Sequence, residues 1–502
     1  MRGDAQARER RRKQICPPKL KKAGTILGIA YIVLLLVFEL LLIFIDILPL
    51  KIMCIVLVAL TGVSVAIVPL LLIKNIKKNK KIGAIVVGGI LALIYIVGII
   101  YLGSTLGFFA KVFGAGGETV DYDVLVRTSS EYEEIKDIEN KTVYTLPSTE
   151  ATLADAKDAL SEEVDVEYET ADTDGNGICA GLIDETYDIV FMTDANYKTL
   201  CDENESYGKD IKILYTISVV KEVKSNKEVD VTKESFNVLI SGNDTTGEIQ
   251  DVAKSDVNMV MTVNPKTHKI LLTSIPRDYY VYVPGVAAND KLTHTGNFGI
   301  DETAATIENL LGIDINYYAK VNFTCVVEFV DAIGGIDVKS DYEFTTSGRQ
   351  NNGYHFVVGW NHCDGANALA FSRERHAFAS GDNQRIINQQ KVLTAIIKKC
   401  TSSTVVLTKY ASILNAVGDY MATNLSQSNM KKLAKMQIGD MKGWKIKRQS
   451  LTGSGATSTV YSLGSSACYV MMPDQVSVSN ASEKIHKTMR IPKEEEKGLL
   501  GN

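Results

Sequence analysis

Three long apolar runs near the N-terminus, at about 23–45, 52–73 and 82–102, constrain this chain more than any other feature. Each is close to the ~20 residues that a helix needs to cross the hydrocarbon core of a bilayer. Backbone amides at that depth have no water to bond, so the runs must be helical. A signal peptide would show one shorter core and a cleavage site, and neither is present. Flanking charge sets the orientation. Arg10, Arg11, Arg12, Lys13, Lys19, Lys21 and Lys22 precede the first run, and the lysine-rich stretch from Lys74 to Lys81 joins the second to the third. Lysine and arginine stay on the cytoplasmic side. Residues 1–22 are therefore expected as a cytoplasmic basic tail, 23–110 as three membrane helices, and everything after about 111 outside. Glu39, inside the first run, reads either as a functional carboxylate or as a helix–helix contact.

The remainder of the 502 residues leaves room for about two or three domains. A net charge of −5 gives no global basic balance to suggest nucleic acid. Eight cysteines show no CxxC and no Cys/His cluster, which argues against structural zinc. Cys325 and Cys363 sit among apolar residues and read as buried free thiols. Gly114 to Gly117 reads as a hinge. Residues 118–228 then alternate strand-like runs (Tyr122–Val126, Val164–Tyr168, Tyr187–Met192, Ile211–Val219) with helical spacing at Ala151–Leu160, giving a small accessory α/β domain. Asp172 to Gly177 resembles the start of a calcium loop. The twelfth position is Ile183 where a bidentate Glu is needed, so a solvated turn is expected.

Residues 233–490 carry the chemistry. Phe236–Ile240 is a short strand ending in Ser241-Gly242-Asn243-Asp244. Val257–Val263 and Ile270–Ile275 follow as strands, and Pro276 ends the latter, leaving Arg277 and Asp278 on a loop. Thr303–Leu311 has helical spacing closed by Gly312, Tyr317–Phe323 is strand-like and Val326–Ile333 helical. The fold class is α/β: an anchor of three helices, a small α/β accessory domain, then an αβα catalytic domain with a mixed central sheet. Arg373 and Arg375, two apart, would share one face of an extended segment, with Glu374 on the other. Arg385 and Gln389 share a helix face, with Asp382 as N-cap. Arginines and carboxylates at element ends suggest a pyrophosphate gripped by forked guanidiniums, with a divalent metal on the carboxylates.

The motifs Lys254-Ser255-Asp256, Ile275-Pro276-Arg277-Asp278, Asp290-Lys291-Leu292, Gly334-Gly335-Ile336-Asp337, Arg373-Glu374-Arg375 and Asp382 to Gln390 resemble, in order, the catalytic domain of the LytR-CpsA-Psr family. The three spans and accessory domain resemble its capsule-attaching members. The resemblance implies a phosphotransferase that moves a glycopolymer from a polyprenyl-pyrophosphate carrier to peptidoglycan, outside the membrane of a Gram-positive-type envelope. It implies Mg²⁺ (or Mn²⁺) on Asp244 and Asp256. Arg277, Arg373, Arg375 and Arg385 would form the guanidinium clamp, with Gln389 and Lys291 as further substrate-binding groups. Two positions depart from the family pattern: Thr293 stands where Asn is frequent, and Asn388 where a second Arg is frequent. His294 and Asp278 are candidate bases, each with a structural alternative. Ile386, Leu393 and Ile397 either line a slot for the lipid or pack a core. Two other readings remain open: a polyprenyl-pyrophosphate hydrolase using the same site, and a non-enzymatic regulator that binds wall precursors.

Overall fold

A computed structural model describes residues 16–490, apart from 75, 115–116, 149–150, 224–226, 244–248, 250–251, 348–352 and 403–408. Two compact units emerge. One gathers the N-terminal helices with Leu407–Asn415 and Gln427–Met441; the other holds Lys111–Val406, Ala416–Ser426 and the stretch from Lys442.

In the first unit the helices Pro18–Ile45, Leu50–Leu72 and Lys78–Gly114 are long and apolar enough to cross a membrane. They extend beyond the apolar runs because flanking lysines and small residues continue the helical pattern at little cost. Polar groups inside are paired. Tyr31 Oη lies 2.8 Å from Ser64 Oγ and 3.1 Å from Tyr95 Oη. Thr61 donates to Glu39 at 2.8 Å, so Glu39 makes a helix–helix contact. Lys81, fully buried, donates to the carbonyls of Leu70, Leu71 and Ile73, closing the C-terminal end of the second helix.

The second unit begins with β1 (Glu118–Arg127), β2 (Thr142–Thr145), β3 (Glu167–Thr170), β4 (Ile189–Thr193) and β5 (Ile211–Lys221). They form one sheet in the order β3-β2-β4-β1-β5. Val124, Val126, Phe191 and Leu160 of the Ala151–Glu163 helix pack on one face. The segment from Asp172 departs from both the calcium-loop and the solvated-turn readings. Gly175–Ile183 is helical, and Asp174 caps it by accepting from Gly177 N at 2.8 Å and from Ser465 N at 2.8 Å. A carboxylate so engaged is part of the packing.

The segment after residue 233 is built on β6 (Phe236–Gly242), β7 (Val257–Asn264), β8 (Lys269–Ile275), the short pair β9 (Tyr280–Val283) and β10 (Ala288–Lys291), and β11 (Tyr317–Val321). A peripheral ribbon follows: β12 (Ile336–Ser340), β13 (Phe344–Thr345), β14 (His355–Phe356) and β15 (Gly359–Cys363). Then come β16 (Met421–Thr423), β17 (Lys445–Ser450) and the pair β18 (Gly453–Thr459) and β19 (Ala467–Pro473). The central sheet runs β16-β11-β6-β7-β8-β17. β6 is parallel to β11 and β8 to β17, whereas β7 is antiparallel to both β6 and β8. Four C-terminal strand ends and the N-terminal end of β7 therefore share one edge, where ligands collect in open α/β sheets. Ile300, Ile307 and Leu311 of the Ile300–Leu311 helix and Val478 and Ile485 of the Gln475–Met489 helix join the core with Leu239, Val260 and Leu271 of the sheet. Helices Phe323–Ala332, Gly365–Arg373 and Asp382–Ser402 pack in succession, the last against β8 and β17.

Candidate active site

The strand register brings the separated motifs together. Gly242 ends β6 opposite Val257 of β7, and Asp256 N bonds Gly242 O at 2.8 Å. Ser255 N bonds Thr293 O at 2.9 Å, and Thr293 N bonds Arg277 O at 2.9 Å. Ser255 Oγ lies 2.7 Å from Ser241 Oγ and 2.8 Å from Asn258 Oδ1. This lacing of three chain segments leaves space for hydrogen alone at Gly296, where a Cβ would stand 2.3 Å from Ala253 O and 2.6 Å from Ser255 N.

Asp256 and Arg277 form the centre. Arg277 Nη1 donates to Asp256 Oδ1 at 2.6 Å, and Thr293 Oγ1 to the same oxygen at 3.4 Å. Thr293 thus still supplies a donor beside the carboxylate. Arg385 pairs with Asp382, the first residue of its helix. Burial works against the charge on both arginines. Asp256, Asp278 and Asp382 more than offset this for Arg277, whose pKa is raised. For Arg385 burial, with repulsion from Arg277 and Arg375, outweighs Asp382 and Asp256, and its pKa is lowered. These couplings place Arg277, Arg375, Arg385, Asp256, Asp278 and Asp382 in one electrostatic neighbourhood. The Nε atoms of Arg277 and Arg385 are buried and have no hydrogen-bond partner among the described residues. Buried donors are normally satisfied, so two Nε donors without a hydrogen bond in one electrostatic neighbourhood suit an anion, with Arg277 Nε also facing Asp278 Oδ2 at 3.9 Å.

The other expected residues are distributed as follows. Arg373 ends a helix where extended structure was expected, and its guanidinium stacks on the Phe323 ring at 4.1 Å. Arg375 is exposed, while Glu374 between them is buried and holds the turn by accepting from Ser347 N at 2.7 Å and Ala377 N at 2.9 Å. Gln389 is half-buried, one turn beyond Arg385. Lys291 is buried and directed to Glu203 at 3.4 Å. His294 is 3% exposed, with Nδ1 2.7 Å from Asp290 Oδ1. Asp290 is itself clasped by Ser462, giving the histidine its structural role. Asp244 lies outside the described residues. Asp256 fits a hard divalent cation by donor chemistry, because among the described residues its Oδ2 accepts no hydrogen bond.

The supporting roles of two residues escaped the sequence reading. Gln390 is buried and donates to Ser274 Oγ at 2.9 Å and Gln449 O at 2.6 Å, pinning the Asp382–Ser402 helix to the ends of β8 and β17. Asn388, 1% exposed, donates to Phe371 O at 3.2 Å and so ties that helix to the one ending in Arg373. Gln390, four residues after Ile386 and three before Leu393, is a polar side chain on their apolar stripe, and that was its available signal.

Fold and site together define an α/β protein with three helices able to cross a membrane and with half-buried arginines beside a carboxylate, an arrangement suited to an anion. Residues 197–485, more than half of the chain, match the LytR_cpsA_psr family, and the protein belongs to it. A polyisoprenyl-teichoic acid–peptidoglycan teichoic acid transferase, TagU of Bacillus anthracis, is 41% identical over 208 residues, which is 41% of this chain and 66% of the relative. The chain thus spans just under two thirds of that relative's length. The TagU of Enterococcus faecalis is 38% identical over 243 residues, 48% of this chain and 77% of the relative. The crystal structure of B. subtilis TagU is similar over 52% of this chain and 99% of that one, at 30% identity and a TM-score of 0.40.

Proposed function

We propose that this protein is a phosphotransferase that moves a glycopolymer from a polyprenyl-pyrophosphate carrier to a peptidoglycan hydroxyl outside the cell. The observation that carries the reading is the pair of idle Nε donors on Arg277 and Arg385 beside Asp256. The relatives' name, polyisoprenyl-teichoic acid–peptidoglycan teichoic acid transferase, supports a teichoic-acid-type polymer and this acceptor. The flanking lysines support a cytoplasmic N-terminus and an external catalytic segment.

Arg277 and Arg385 hold the pyrophosphate and offset the charge that grows on the leaving polyprenyl phosphate, while Arg375 reaches it from the exposed rim. One P–O bond to the leaving phosphate breaks as another forms to the acceptor oxygen. Mg²⁺ or Mn²⁺, held by Asp256 and Asp244, would supply further positive charge at the transferring phosphate. Half-buried Leu393 and Ile397, continuing past Arg385, support a slot for the lipid tail. The deciding experiment gives the full chain a labelled polyprenyl-pyrophosphate oligosaccharide, Mg²⁺ and peptidoglycan fragments. Label on peptidoglycan, lost with Arg277→Ala and with chelator, is the expected result. Free sugar phosphate alone would establish a hydrolase, and binding without turnover a regulator.

A further inference from the structure

The most anomalous surface of the catalytic segment is the turn between β14 and β15. Val357, Val358 and Trp360 are 46%, 65% and 68% exposed. Neighbouring apolar side chains projecting into solvent mark an interaction site on a folded protein. The turn is rigid. Asn361 accepts from Val357 N at 2.9 Å and donates to Val357 O at 2.9 Å and Gly359 O at 3.0 Å. Gly359, at φ +105, makes the bend. The protein therefore holds an apolar tip outward in fixed form.

The charge around the tip is selective. Lys339 stands opposite Trp360 across the ribbon and is exposed. Trp360, Ala395, Lys398 and Lys399 with Asp337 line a cavity of about 410 Å³. Of the nearby acids, Asp341 pairs with Lys391 at 2.6 Å, while Asp337 bonds His362 at 2.8 Å and Glu343 lies 3.4 Å from His355. A tryptophan at the boundary between apolar tip and lysines is the arrangement of an interfacial membrane anchor. The chain also carries three helices able to cross a bilayer, so a bilayer is its permanent neighbour.

We propose that the 357–360 tip is a bilayer-docking wedge: Val357, Val358 and Trp360 enter the interfacial zone while Lys339, Lys398 and Lys399 meet anionic headgroups. This rests on exposure and charge and is independent of the transfer reaction, so its failure leaves that reading untouched.

The chain has two tryptophans, and Trp444→Phe leaves Trp360 as the sole emitter. The full chain carrying that substitution is reconstituted in phosphatidylcholine vesicles with and without phosphatidylglycerol, using lipids brominated at graded depths. The expected result is blue-shifted Trp360 emission, quenched most by shallow bromines and more strongly with phosphatidylglycerol. Adding Val357→Ser and Val358→Ser should reduce the quenching at least threefold. Water-like emission, with quenching equal in the serine variant, overturns the proposal. So does shielding of Trp360 from acrylamide that appears only with peptidoglycan fragments, which would assign the tip to glycan.

Discussion

Arg385 and Asp123 are both buried charges, and the protein treats them in opposite ways. Arg385 stays between carboxylates with its Nε idle. Lysine in its place keeps a charge and loses the planar fork. Arg385→Lys should therefore lower the transfer rate by ~100-fold, the loss typical of one transition-state donor, with little change in melting temperature. A rate within threefold of the parent would remove Arg385 from the clamp. Asp123, 1% exposed on β1, accepts from Thr216 at 2.7 Å, yet burial pushes its pKa up to about 6. Its ordinary value is 3.8, so the native state binds the proton more tightly than the unfolded chain. Its contribution to stability is complete below about pH 4 and is lost as pH rises to about 6. Asp123→Asn keeps the acceptor for Thr216. It should stabilise the protein at pH 7.5 by about 2–3 kcal/mol, and the advantage should vanish near pH 4. Thermal unfolding of both proteins across that range tests this; an advantage independent of pH would rule out the titration.

Among elements, the Asp382–Ser402 helix shows where a sequence is legible. Its apolar spacing and the shared face of Arg385 and Gln389 are visible without a structure, as is the turn after Pro276 that carries Arg277. The contacts that aim these residues are not. Gln390 meets the carbonyl of Gln449, 59 residues later in the chain, and nothing local specifies such a pairing. Arg373 misled because a two-residue alternation is the same on paper whether a helix ends there or a strand continues. Asn388 read as a missing charge, yet its position is buried and bonded to Phe371 O. The accessory strands declared themselves by period, whereas the order in which they pair depends on contacts that periodicity does not encode. Gly296 gives an element-scale test. Alanine there would press on Ala253 O and Ser255 N and displace the stretch carrying Asp256. Gly296→Ala should raise the Mg²⁺ concentration for half-maximal activity more than it lowers the melting temperature. An unchanged metal dependence would separate that stretch from the metal.

At the scale of the whole molecule, all eight cysteines are free thiols. Cys325 and Cys363 are buried, and desolvation pushes each thiol up to about 12. Alkylation at pH 8 should spare both in the native protein and reach all eight in denaturant without reductant, as counted by mass spectrometry. Fewer than eight would reveal a disulfide. The parallel pairing of β17 with β8, and the grip of Gln390 on Gln449, carry a consequence for synthesis. The clamp draws on residues 256 to 385, but the strand that seats its helix arrives only at 445–450. A chain made only as far as residue 444 would carry all of those residues and still lack the strand that seats their helix.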